Sequence, residues 1–333
     1  MPRRLRLALA AAVTLVGAAP AQQPFRPVEH RYAAPLIDRA SPQELAMLAD
    51  QGLAIEHDRP PAQALAEHRR LDAALRHLQP QRPGVVDAYV LSVGLDSDPV
   101  FGREAREAGR VLTRRYGAAG RSVTLAGSDG QAESTLPMGS PANVAAVLAR
   151  MAELMDGRED VLVLYTTSHG APFGIVYNDG DQGFGAISPY RLWGQLKALG
   201  IQNRLLLISA CYAGVFVPLL GSDTTAIVTA ASADRTSFGC RADMDWTFFG
   251  DALINQALRK PQPLAAAAAE AQALIGGWEA RGRLEPSRPQ VMIGAGARRW
   301  LAALEARVPA GGQPVGRPAI LSLEPGPSPD PRR

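Results

Sequence analysis

Aromatic residues are scarce in this 333-residue chain, at 6%, and there are two cysteines, Cys211 and Cys240. Two cysteines exclude a disulfide-dense scaffold and leave either one bridge or a pair of thiols kept for a purpose. No apolar run reaches the roughly 20 residues a membrane-spanning helix needs, because Leu7 to Ala19 supplies about 13. No basic patch with interleaved aromatics occurs, so a nucleic-acid partner is not expected. The glycine-rich stretch Asn178 to Gly185, with Asp179 and Asp181, lacks EF-hand ligand spacing, and no Gly-Lys-Ser/Thr follows it. It reads as a substrate-side loop, and no metal or cofactor is expected. Internal repeats are absent as well.

What is present is an ordinary globular balance, 47% apolar and 20% charged, enough to fill a substantial core. Residues 1–21 have the layout of a signal peptide. Arg3, Arg4 and Arg6 form a basic start, an apolar stretch follows, and Ala19-Pro20-Ala21 offers small residues for cleavage. Removing them takes the formal charge of +3 to zero, so the basic pI says nothing about an anionic partner. A periplasmic or secreted location without stable membrane insertion is the expectation.

Residues 22–82 read as a helical leader, with one helix over Pro61 to Leu78, and a role as a prosegment covering a cleft is the expectation. Apolar runs and amphipathic segments then alternate regularly. Strands are predicted at Val85–Val93, Ser122–Leu125, Val161–Tyr165, Arg204–Ser209 and Ala226–Ala230. Helices are predicted at Phe101–Tyr116, from Ser140, from Ser188 to Gly200, at Trp246–Arg259, from Pro263 and near Ala297–Ala306. This order predicts an α/β fold with a mostly parallel sheet and helices on both faces, over residues 83–308. Residues 309–333, dense in proline and glycine, are expected to be disordered.

In such sheets functional groups collect at the carboxyl ends of the strands. Val161–Tyr165 runs into Ser168-His169-Gly170, and Arg204–Ser209 runs into Ala210-Cys211-Tyr212-Ala213-Gly214. On neighbouring parallel strands His169 and Cys211 emerge together, as a thiol nucleophile and its base require. His169 is the one histidine of five within the α/β portion; the other four precede residue 80. Gly170 allows close backbone approach, and its N–H is a candidate oxyanion donor beside that of Cys211.

The order His-Gly then Ala-Cys, 42 positions apart, resembles the caspase-like clan of cysteine peptidases. Within it the segments Thr229–Ala233, Thr236–Cys240 and Asp245-Trp246 resemble the legumain family, peptidase family C13, particularly its bacterial members. Phe101–Ala105 lines up with that family's pocket arginine segment. The resemblance implies a caspase-like three-layer fold and an endopeptidase acting on peptide or protein substrates through a thioacyl intermediate, cutting after Asn. It implies that Arg103, Ser237 and Asp245 line the substrate pocket, together with Ser209, which stands where the family carries a glutamate. Glu104 replaces a histidine and Phe101 an asparagine of the family pattern. A transamidase or ligase on the same scaffold, and a catalytically silent binding module, are the alternatives. Cys240 is expected reduced and partly buried.

Overall fold

The computed structural model describes residues 39–324 except Asp181. The expected signal peptide, and residues 22–38 of the leader, lie outside the described residues.

Along the chain the elements are α1 (Pro42–Gln51), β1 (Ala54–Glu56), α2 (Pro61–Arg76), β2 (Ala88–Gly94), α3 (Pro99–Arg115), β3 (Ser122–Leu125), α4 (Pro141–Leu154) and β4 (Val161–Thr167). Three short strands follow, β5 (Gly170–Ala171), β6 (Gly174–Asp179) and β7 (Gly183–Ile187), then α5 (Pro189–Ala198) and β8 (Arg204–Ser209). A 3-10 turn (Ala213–Phe216) leads into α6 (Val217–Leu220), β9 (Thr225–Thr229), a π-helix (Gly250–Ala257), α7 (Leu264–Gly282), β10 (Gln290–Ile293) and α8 (Ala297–Glu305).

Local chemistry explains several starts. Helices α1, α4 and α5 each begin Ser-Pro. The serine hydroxyls of Ser41, Ser140 and Ser188 accept from the N–H of the third residue on, at 3.3, 3.1 and 3.1 Å. The proline occupies a first-turn position whose N–H would have no helical partner.

The main sheet has the order β10-β9-β8-β4-β2-β3, parallel except for β10. Strands β2, β4, β8 and β9 are buried along their whole length, which is why they read as continuous apolar runs. Their side chains alternate between two cores. Val90, Val163, Tyr165, Leu205 and Leu207 face α3, the π-helix, α7 and α8. Leu91, Leu162, Leu164, Leu206 and Ile208 face the side carrying α4, α5 and α6. The three-layer α/β arrangement with helices on both faces is therefore the observed one.

The strand order reverses at β2: β3 lies on one side of it and β4 on the other. The crevice at such a reversal, beyond the strands' carboxyl ends, is where an open α/β sheet binds ligands. Here it is bounded by the residues after Gly94 and after Thr167.

Two expectations need correction, and a third is extended. The leader holds more than one helix: besides α2 it contributes α1 and β1, and β1 pairs antiparallel with β7. The Asn178–Gly185 stretch is a β-hairpin, β6–β7, in a second sheet of order β1-β7-β6-β5. Its glycines disguised a strand, since glycine packs poorly on a pleated surface in general. Residues 309–324 of the expected disordered tail are docked, through a 3-10 helix, Ala319–Leu323, with Ala319 fully buried. The Ala319 N–H donates to Asp251 Oδ2 at 2.7 Å, and the Trp246 indole donates to the Val315 carbonyl at 2.9 Å. Composition foretold disorder, but these specific anchors fix residues 309–324 in place. Residues 325–333 are outside the described residues.

Candidate active site

Strands β4 and β8 are parallel neighbours with Thr167 opposite Ser209. Two residues further on each strand stand His169 and Cys211, so the register places them level at one sheet edge. The two tips also touch through their backbones: the Ser168 N–H donates to the Ser209 carbonyl at 3.2 Å. A Cβ on Gly170 would lie 2.1 Å from the Cys211 carbonyl oxygen and 3.0 Å from Ala210 Cβ. Gly170 is thus required first for the closeness of the two strand tips.

Cys211 sits where the chain turns from β8 into helix. Tyr212 takes a left-handed conformation, φ 58°, with its N–H donating to the Arg235 carbonyl at 2.8 Å. A single left-handed non-glycine residue between a strand and a helix is uncommon and keeps Cys211 at the apex of the bend. Gly214 lets this bend close onto the segment after β9, since a Cβ there would meet Ala233 N at 2.4 Å. That segment carries Ser237, whose N–H donates to Cys211 Sγ at 3.2 Å. The Cys211 thiol in turn donates to the Ser237 carbonyl at 3.6 Å. Ser237 belongs to the immediate surroundings of Cys211.

His169 is half-exposed, at 46% of its side chain. Its Nε2 lies 3.6 Å from Asp98 Oδ2, and its ring meets Phe101 edge to face, centroids 5.1 Å apart. Asp98 stands at the N-cap position of α3, yet its side chain makes no capping bond. Its carboxylate faces the imidazole instead. The Asp98 N–H donates to Asp96 Oδ1 at 2.8 Å, and side-chain ligand atoms of Asp96, Asp98 and His169 lie within 4.8 Å of one another. Asp98 was missed in the sequence because an Asp-Pro before a helix reads as a cap. Its location after β2, at the point where the strand order reverses, was the signal available.

The expected pocket residues divide. Arg103 and Asp245 are brought together, Nε to Oδ1 at 3.0 Å. The guanidinium also donates to the carbonyls of Asp129, Ala242 and Met244, at 2.6, 2.5 and 2.5 Å, so it ties two loops to α3. Asp245 Oδ2 accepts from the Arg317 N–H of the docked tail at 2.7 Å.

Ser209 is not on the pocket surface. It is 2% exposed, and its hydroxyl donates to Glu104 Oε1 at 3.2 Å and contacts Thr247 Oγ1 at 3.1 Å. Strand alternation is the reason: Ser209 points into the α3 side of the sheet, two residues from Cys211 but below the edge. Glu104, fully buried, also accepts from the Tyr165 hydroxyl at 2.5 Å and the Thr247 N–H at 2.6 Å. Burial pushes its carboxyl up from the ordinary range, against the pull of those hydrogen bonds.

Cys240 is a free thiol packed with Val100, Phe101 and Met244, behind the ring that touches His169. Burial, and then the nearby Cys211 and carboxylates, push its thiol well up. It is held protonated, and Cys211 is also free.

Residues 140–272 match the model of the Peptidase C13 family. The matched stretch contains His169, Gly170, Ser209, Cys211, Ser237 and Asp245 and leaves Arg103 and Asp98 outside. It supports a cysteine-peptidase type of function with protein substrates. No curated protein matches the chain. Among solved structures it is similar to caspase-1 from Spodoptera frugiperda, at 15% identity over 62% of this chain and 85% of that one, with a TM-score of 0.41. No helix among the described residues is long and apolar enough to cross a membrane.

Proposed function

We propose that this protein is an exported cysteine endopeptidase that hydrolyses peptide bonds through Cys211 and His169. The observation that carries the reading is the backbone contact of the two strand tips, which fixes a thiol and an imidazole on one sheet edge while Ser237 donates to the sulfur.

Cys211 Sγ, as thiolate, attacks the scissile carbonyl carbon, and the carbonyl electron pair moves onto oxygen. The Gly170 and Cys211 N–H groups are the donors for that oxyanion. The C–N bond then breaks, His169 gives its proton to the departing amine, and a thioester to Cys211 remains. Water attacks the thioester, His169 takes its proton, and the C–S bond breaks to release the acid and restore the thiolate. Asp98 holds the imidazole in place and balances its positive charge.

Asn suits the Arg103–Asp245 pair. Its carbonyl accepts from the guanidinium and its amide nitrogen donates to the carboxylate, so an entering side chain replaces their mutual contact with two of its own. Ser209 takes no part in this recognition. Export rests on the layout of residues 1–21.

The test is digestion of a peptide library by wild type beside Cys211→Ala and His169→Ala, with intact-mass detection of a thiol-directed probe. Cleavage by wild type alone, with one probe on Cys211, is expected. Undiminished cleavage by Cys211→Ala, or a folded wild type that neither cleaves nor takes the probe, would overturn the reading.

A further inference from the structure

The glycine-rich hairpin β6–β7 takes no part in the substrate chemistry above. Its contacts explain its composition. A Cβ on Gly185 would lie 2.4 Å from the Leu53 carbonyl, and one on Gly183 would lie 2.2 Å from the Tyr177 hydroxyl. Both glycines therefore make room, one for the leader backbone and one for a buried tyrosine within the hairpin.

The leader grips the hairpin at several points. Besides the β1–β7 pairing, the Ala186 N–H donates to Leu53 O at 3.1 Å and the His57 N–H to Gln182 O at 2.9 Å. The buried Tyr177 hydroxyl donates to Glu56 Oε1 at 2.5 Å. Arg59, 12% exposed, pairs with Glu56 at 2.9 Å and with Asp179 Oδ2 at 2.6 Å.

Strand β6 passes this grip to the histidine in two ways. At its start, the Val176 N–H donates to the His169 carbonyl at 3.0 Å, Ser168 Oγ donates to Val176 O at 2.6 Å, and Ile175 pairs with Gly170. At its end, Asn178 bonds both sides of the loop that carries Asp98: its N–H donates to Leu95 O at 3.1 Å, and its carbonyl accepts from the Ser97 N–H at 2.9 Å. The Gly180 N–H adds a bond to Ser97 Oγ at 2.9 Å. The Arg59–Asp179 pair lies one residue from that junction.

We propose that the leader segment Ala54–Arg59 is a permanent brace of the His169 arm, and that Arg59 is a positioning residue acting through Asp179 and β6. This rests on the reading of His169 and Cys211 as the catalytic pair. It replaces the expectation of a removable prosegment: trimming past Arg59 would strip an edge strand from the sheet that carries Gly170 and free the loop that carries Asp98. A displacement of about 1 Å between reacting groups is worth on the order of 100-fold in rate.

The test uses the full-length protein and iodoacetamide, with alkylation of Cys211 followed by mass spectrometry at pH 6, where an ordinary thiol is almost wholly protonated. Arg59→Ala is expected to slow alkylation about tenfold or more while the protein remains folded by circular dichroism. Arg59→Lys, which keeps a charge for Asp179, is expected to restore most of the rate. Glu67→Ala is the control. It loosens α2 from the α4 start, where Glu67 accepts from the Met138 N–H at 2.8 Å, without touching β6. It should lower the melting temperature and leave alkylation within about twofold of wild type. Wild-type reactivity in Arg59→Ala, equal loss in Glu67→Ala, or full reactivity in protein trimmed beyond Arg59 would overturn the brace. A wild-type thiol no faster than free cysteine, or unchanged by His169→Ala, would instead overturn the catalytic pair itself.

Discussion

Gly170→Ala puts one methyl group between the two strand tips that carry His169 and Cys211. The added carbon would start 2.1 Å from the Cys211 carbonyl oxygen, whereas real Cβ atoms essentially never approach within 3.0 Å. The tips must therefore separate by at least about 0.9 Å, and both are held by backbone hydrogen bonds. The Ser168–Ser209 bond ties the tips to each other, and the Val176–His169 bond ties the histidine arm to β6. Ala210 Cβ at 3.0 Å closes the alternative direction of escape. Overpacking of this kind costs about 1–3 kcal/mol of stability, and a shift near 1 Å at the reacting atoms costs on the order of 100-fold in turnover. Gly170→Ala is thus expected to stay folded, lose a few degrees of melting temperature and lose nearly all peptide cleavage and most Cys211 alkylation at pH 6. Gly276→Ala is the matched control. It lies in α7 with nothing within 4 Å of the added carbon, and should be neutral or slightly stabilising. Cleavage by Gly170→Ala within twofold of wild type would refute the claim that tip contact sets the catalytic geometry.

Asp98→Asn keeps the size of the side chain and removes the charge facing His169; turnover on any cleaved peptide should fall on the order of tenfold with KM little changed, and a purely KM effect would show that Asp98 faces substrate instead. Ser209→Glu would set a second carboxylate against Glu104 in a closed site, at a cost of about 3 kcal/mol or more; Glu104→Gln in that background should recover much of the lost denaturant midpoint, and no recovery would remove Glu104 as the cause. Glu104 also gives a pH signature. Its folded-state value is raised, so its contribution to stability is full below about 4.5, the ordinary carboxyl value, and declines as pH rises toward the folded value. The stability of wild type minus that of Glu104→Gln, from urea midpoints at pH 4.5, 6 and 8, should therefore fall with pH; a constant difference would mean the carboxyl titrates normally.

Much of the site was legible because it depends on period and position along the chain. Continuous apolar runs at Val161–Tyr165 and Arg204–Ser209 mark strands covered on both faces, and residues just beyond such strands emerge at a sheet edge. That is enough to single out His169 and Cys211, and Ser140-Pro141 and Ser188-Pro189 announce two helix starts by local chemistry alone. Ser209 failed because a continuous run hides the period-two alternation of its side chains: two residues before Cys211 it is on the sheet proper, and its side chain points into the core. Asp98 and Arg59 were hard to read because the partners that matter for the site lie far along the chain. Asp98 meets His169 across 71 positions and Arg59 meets Asp179 across 120. The glycines of the hairpin read as a loop because nothing local reveals that a leader backbone and a tyrosine hydroxyl need their missing side chains.

The sequence by itself therefore determined the alternating strands and helices and the placing of His169 and Cys211 just beyond two of those strands, since burial pattern and helix capping are local properties. Only the tertiary structure decided which carboxylate faces the imidazole, which serine is buried and that the leader belongs to the fold. Those depend on strand order and register, which bring together residues that no spacing along the chain relates.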